Sequence, residues 1–433
     1  MNLPKNTIFF LSIIGLVVVL LFLVLTGVLP GLRNPRVETV TFTFWSTEPE
    51  AVWKTTLEKM AQSLPAVKIN YAQKPESTFR QELVEAQASL RGPDFWIMPG
   101  NLLQKDSEKI TPVPLEILNP ANLQDAYVDG VSQEITFDHR VWGIPITFST
   151  LALYTNTTLL NSAGIVAPPT DWNEFKEATK FLTQRDERGK IIQSGAALGL
   201  SSNVFAAPEL FLSLLWQQGG EVITDGKVVL EEGVLSGTER FAPAESALQF
   251  LAEFSNPALP QGGWLPVFGN SEDEFAQERV AMIIGDEKTQ QRLLEKNPRL
   301  QFKITPLPQP RDARNKVLFG TTRVLVISRI AANQGRLWPF IQALSQPNAI
   351  QNYLTATISL SPRRDLIGVA RQDVRLRAFA DQILVARSWP DQDPQRTRPV
   401  FKEMIEQVGS GRQTALQAVH QAQQKLRLIY GTQ

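Results

Sequence analysis

The sequence predicts an α/β fold divided into two lobes and preceded by a helix able to cross a membrane. Three observations carry this prediction. Short apolar or alternating runs are separated by helical stretches of about 10–15 residues, the pattern of an open, mainly parallel sheet. A chain of 433 residues can bury a large core and is longer than one core usually serves. From Asn6 to Leu32 there is no charged side chain, and residues 8–29 are almost wholly apolar. As a helix, that run would reach about 33 Å, enough for a bilayer core.

The elements follow in order. Residues 8–29 exceed the apolar core of a cleaved secretory signal, about 7–15 residues, and the exit near Thr26-Gly27 lacks a small-x-small site. An uncleaved anchor is therefore expected, then a linker over 30–38 containing Pro30 and Pro35. Residues 39–45 (TVTFTFW) alternate with period two and form a first strand. A helix over 50–64, a strand over 67–71, a helix over 77–90 and a short strand within 92–101 (GPDFWIMPGN) follow. Gly143 and Pro145 open a run that becomes continuously apolar through Ile146, Phe148, Leu151 and Leu153. Pro168-Pro169 end the next short segment, and Thr170 or Asp171 can cap a helix beginning near Trp172. Apolar helices are expected at 208–218, stopped by Gly219-Gly220, and at 243–254. A helix end and buried strand are expected within 274–285, strands at 300–308 and 317–327, and helices at 338–344 and 409–426.

Composition removes several function classes. Lys plus Arg and Asp plus Glu both total 43, so no charge excess favours nucleic acid. There is no cysteine, which excludes disulfides, a thiolate nucleophile and cysteine zinc sites. The two histidines, His139 in a polar turn and His420 on a helix face, have neither metal-ligand nor triad spacing. No phosphate-binding glycine loop is present, so no cofactor is expected. Two carboxylates for glycoside hydrolysis can converge from any separation. Glu231, Glu232, Glu272, Asp273, Glu274, Asp286 and Glu287 are the candidate acids, with solvated turn charges as the plain alternative for 231–232 and 272–274. An enzyme is not expected.

The order GIPI (143–146), LALYTN (151–156), LLNSAGI (159–165) and PPTDWNEF (168–175) resembles family 1 extracytoplasmic solute-binding proteins, the maltose-binding-protein type. Phe275, Ala281, Met282, Gly285, Pro306-Leu307-Pro308, SLSPRRD at 359–365 and GSGRQT at 409–414 continue the match, which covers about 39–426. The resemblance implies a two-lobe periplasmic-binding-protein-like (type II) fold. It places lobe one at 38–147 plus 304–352 and lobe two at 148–303 plus 353–433, with hinges near 147–151, 302–305 and 352–357. It also implies an extracytoplasmic body, monomeric and tethered at the cell membrane, that delivers a small solute, foremost a sugar, to the permease subunits of an ABC importer. Use of the same fold as a sensor without transport, or an anchored glycoside hydrolase, are the rival readings.

Sugar recognition uses flat aromatic faces and planar polar groups. Carried over by position, the resemblance points to Trp45 and Glu48 after the first strand, Met98 and Asn101 after the third, and Ser149 after the first crossing. It further points to Glu209 at a helix start, Trp264 in a turn, Asp286 and Glu287 after the buried strand, Arg323 in the return strand and Phe401 before the closing helix. Trp45, Glu48, Trp264, Glu287 and Phe401 are expected to face the cleft. Several of these places hold carboxylates where the family has aromatics, which would equally suit an amine or basic ligand.

Overall fold

The computed structural model describes residues 5–25, 39–236, 239–313 and 316–431. Its centre is two sheets. In the first, Val40–Ser46 runs parallel to Val67–Gln73 and to Phe95–Pro99. The long strand Leu318–Ser328 then pairs antiparallel with Phe95–Pro99 and with Ile144–Thr150, and parallel with Ala386–Arg387. The second sheet has the order Phe302–Pro306, Ala152–Asn156, Val280–Gly285, Ile191–Ala196, Gln184–Arg185. This is an α/β two-lobe architecture.

Local sequence explains the elements. Ile144–Thr150 and Ala152–Asn156 are buried almost throughout, because each is covered on both faces. Asp171 caps Trp172–Leu182 by accepting from the Asn173 and Glu174 amides, both at 2.9 Å. Thr170 donates instead to Glu174. Between the sheets and their helices lie Trp53, Trp96, Trp264, Phe44 and Phe95, all fully buried.

The chain leaves the first sheet after Thr150 and enters the second at Ala152, slightly later than the expected lobe limit at 147/148. Residues 304–306 still pair in the second sheet, so the return lies between Pro306 and Leu318 rather than at 303/304. The third expected hinge, 352–357, is the end of the helix Pro347–Thr357; the helix stops at Ile358, which takes a left-handed φ of 48°. The expected helix over 409–426 divides there: Pro394–Gly409 ends, and Ala415–Tyr430 begins behind a Thr414–Gln417 capping box. Thr414→Ala should cost about 1 kcal/mol of stability, measured by urea unfolding, because the Gln417 amide loses its acceptor.

At the N-terminus, Lys5–Leu25 is a helix of 21 residues. Counting only residues whose side chains are described, no helix is long and apolar enough to cross a membrane. Part of the expected anchor and all of the 30–38 linker lie outside the described residues.

Candidate functional site

A cavity of about 570 Å³ lies where the two sheets meet. Four stretches build it. The turn after Val40–Ser46 brings Thr47 and Glu48; Ile144–Thr150 brings Thr147, Phe148 and Ser149; the turn after Val280–Gly285 brings Asp286, Glu287 and Lys288; and Leu318–Ser328 brings Thr321, Thr322 and Arg323. Tyr353, Phe205 and Arg292 complete the wall. Two of the four stretches follow the carboxyl ends of parallel strands, where open α/β sheets place ligands.

Glu48 is the centre of the first wall. It is buried, accepts from the Ser46 hydroxyl, and accepts from the Tyr353 hydroxyl at 3.3 Å. Its backbone carbonyl accepts from the Tyr71 hydroxyl. Arg323 Nη2 stands 3.6 Å from Glu48 Oε1 and Lys288 Nζ 4.0 Å from it. Burial alone would raise the Glu48 carboxyl, but Arg323, the Ser46 hydroxyl and Lys288 outweigh it and hold it below the usual carboxylate range. Tyr353 is stacked on Trp53 at 4.2 Å, and burial next to Glu48 pushes its hydroxyl up.

The opposite wall is organised by Arg292. Its guanidinium donates to Glu272 at 2.7 Å and to Asp286 at 3.0 Å, and lies 5.0 Å from the Phe205 ring centre. Asp286 also accepts from the Thr289 amide at 2.9 Å. Glu287 reaches the other way, accepting from Ser149 Oγ at 2.6 Å and the Thr150 amide at 3.0 Å. It thereby ties the second lobe to the crossing strand. Burial first, and then neighbouring Asp286, push its carboxyl up to about 8 despite those hydrogen bonds.

A third buried carboxyl group supports the floor from behind. Glu134 accepts from Thr321 Oγ1 at 2.9 Å, the Thr322 amide at 2.6 Å and Ser388 Oγ at 3.3 Å. Burial raises it to about 7. Thr321 is paired with Ser149 across the two strands, so Glu134 and Glu287 hold adjacent strands of one crossing. Gly100 lies close by: a Cβ there would meet Glu134 Cδ at 2.9 Å and displace that side chain.

Of the residues expected from sequence, Glu48, Ser149, Asp286, Glu287 and Arg323 come together on this cavity. The other six do not line it. Trp264 and Phe401 are fully buried, so neither can face a cleft; Trp264 donates to Asn203 at 2.8 Å and stacks on Phe268, and Phe401 packs on Phe211 and Trp389. Trp45 is buried with the Lys74 ammonium 4.1 Å above its ring. Met98 is a sheet residue opposite Val324, Asn101 lies in the turn Gly100–Leu102, and Glu209 is paired with Arg398. Thr47, Thr147, Phe205, Lys288, Arg292, Thr321, Thr322 and Tyr353 were not anticipated. Lys288 adjoins Glu287, Thr47 adjoins Glu48 and Thr322 adjoins Arg323, which was a usable signal, and Thr147 and Tyr353 fall within expected hinges.

Of the remaining candidate acids, Glu231 pairs with His420 at 2.5 Å and Glu274 with Arg279 away from the cavity, while Glu272 stands behind its wall on Arg292. His139 sits in a tight turn at a φ of 57°. Among the described residues no cluster of His, Asp and Glu could hold a metal ion.

Residues 54–367 match the family described as bacterial extracellular solute-binding protein. The chain belongs to this family. Among solved structures, this solute-binding protein is similar to the cyclic α-maltosyl-1,6-maltose binding protein from Arthrobacter globiformis, at 18% identity and a TM-score of 0.75 over 90% of this chain and 99% of that one. It is also similar to the sugar-binding protein MalE from Xanthomonas citri, at 21% identity and a TM-score of 0.73 over 90% and 98%. A third is an ABC transporter solute-binding protein from Thermotoga lettingae TMO bound with α-D-tagatose, at 18% and 0.70 over 91% and 100%. At such identities the likeness is one of fold. BAB2_0491 of Brucella abortus (strain 2308) is 21% identical over 284 residues, 65% of each chain, so the match spans less than two thirds of that relative.

Proposed function

We propose that this solute-binding protein captures a carbohydrate in the cavity between its lobes and hands it to an ABC importer on closing. The observation that carries the reading is a single cavity lined from both sheets by hydroxyls and charged groups, with Glu48 facing Lys288 and Ser149 facing Glu287 across the junction. A ligand touching both walls binds the closed form better than the open one, and that difference moves the equilibrium. Relatives of the same fold named for maltose-type sugars and tagatose favour a sugar over an amine. So does the engagement of the cavity carboxylates by Arg323, Lys288 and Arg292, which leaves a basic ligand little to bind. The protein acts by binding and carries out no chemistry on its solute. In this reading the lobes part between Thr150 and Ala152, between Pro306 and Leu318 and at the end of Pro347–Thr357, and the body is monomeric.

The body stands outside the cytoplasm, held by an uncleaved N-terminal helix. Support comes from the uncharged sequence of residues 6–32 and from Phe9, Phe10, Leu16, Val18 and Phe22, apolar side chains that stand exposed on Lys5–Leu25. A tether would give a high effective concentration at the permease.

Closure has a direct test. Because the chain has no cysteine, Lys59→Cys and Glu187→Cys place one spin label on each lobe of the full chain in detergent. A sugar that binds by calorimetry should shorten the distance between the labels. Binding with an unchanged distance would remove the closure mechanism.

A further inference from the structure

Two cations in the cavity differ from the third. Arg292 already donates through Nε and Nη2 to Glu272, Asp286 and Thr289. Arg323 and Lys288 donate no hydrogen bond to any described residue; each stands at ion-pair distance from the same oxygen of Glu48, at 3.6 and 4.0 Å. Arg323 Nε is buried without a partner. Glu48 is meanwhile supplied by Ser46 and Tyr353. Two positive groups, one on each lobe, therefore share one carboxylate that also accepts from Ser46 and Tyr353.

Unmade donors in a partly buried site are costly, and a guanidinium satisfies its fork best with a carboxylate or phosphate. Neither Asp286 nor Glu287 supplies the missing acceptor. Asp286 is committed to Arg292 and Thr289, and Glu287 points to Ser149 and Thr150 and is held largely neutral up to about pH 8.

We propose that the solute is an anionic carbohydrate whose carboxylate or phosphate is clamped between Arg323 of the return strand and Lys288 of the opposite lobe. This rests on the sugar reading above and names its class. A neutral hydroxyl can bond one of these cations, but an anion can accept from both and neutralise their excess over Glu48. Since the two cations come from different lobes, the same group would draw the lobes together.

The test is calorimetry on the full chain in detergent with glucuronate, digalacturonate and glucose 6-phosphate against glucose, galactose and maltose. At least one acidic probe should bind tenfold or more tightly than its neutral counterpart. Lys288→Gln, at a half-exposed position that leaves the core intact, should remove most of that preference, and Arg323→Gln should do the same. Uronates and sugar phosphates in separate arms distinguish the two anionic groups. Neutral sugars binding as well as acidic ones, with affinity unaffected by Lys288→Gln, would overturn the anionic clamp and leave the sugar reading standing. Binding by no probe of either kind would overturn both.

Discussion

Glu48→Ala should lower stability by about 2–3 kcal/mol. The carboxylate is buried and joins Ser46, Tyr353, Arg323 and Lys288 in one network. Removing it strands two cations and the Tyr353 hydroxyl together. Breaking a fully buried ion pair costs about 3–5 kcal/mol, and the partial exposure of both cations reduces this, since water screens what remains. Its pH signature follows from the sign of the shift. Glu48 is held below its unfolded value, so its contribution is present above the ordinary carboxylate range and is lost as pH falls through the folded value. Urea unfolding at neutral pH and in acid checks both parts: wild type and Glu48→Ala should differ at pH 7 and converge in acid. Equal stability at pH 7 would mean that the network contributes nothing.

The same residue shows which parts of the molecule could be read from sequence. Strands such as Ile144–Thr150 and Val280–Gly285 are covered on both faces, and that condition writes itself as an unbroken apolar run. Helix starts were legible where a short polar side chain precedes an apolar period, as at Asp171 before Trp172. The lobe change was legible only approximately, because Thr150, Leu151 and Ala152 are all buried and no polarity change marks the crossing.

Site residues divide along another line. Glu48, Asp286 and Glu287 were reached through the family resemblance, and they lie on the cavity because each sits in the turn directly after a strand. Trp264 and Phe401 also occupy places where a relative would offer an aromatic face. Which way a tryptophan in a turn points, however, depends on partners such as Asn203 and Phe268, 61 and 4 residues away. Tyr353 is the converse case. Its helix lies against Glu50–Ser63 through the stack on Trp53, and only that packing aims its hydroxyl at Glu48.

The strongest pH effect should come from the two carboxyls that hold the crossing strands. Glu287 is raised to about 8 and Glu134 to about 7, each chiefly by burial. An unfolded glutamate titrates near about 4.3, so between that value and about 8 the folded chain retains protons that the unfolded chain has released. Stability must then fall as pH rises across this window, and it is fully present only below it. For Glu287 alone the loss is on the order of a few kcal/mol. Glu287→Gln tests this directly, because an amide cannot ionise yet keeps an oxygen to accept from Thr150 or Ser149. The variant should match wild type near pH 4 and exceed it near pH 8.5 in urea unfolding, with Glu134→Gln giving a smaller gain complete by about pH 7. The deprotonated form of Glu287 also repels Asp286, which sits beside it on the same turn, so alkaline pH should loosen the link from the second lobe to Ser149. If wild type and Glu287→Gln showed parallel stability from pH 5 to 8.5, the buried carboxyl would not be the group that titrates.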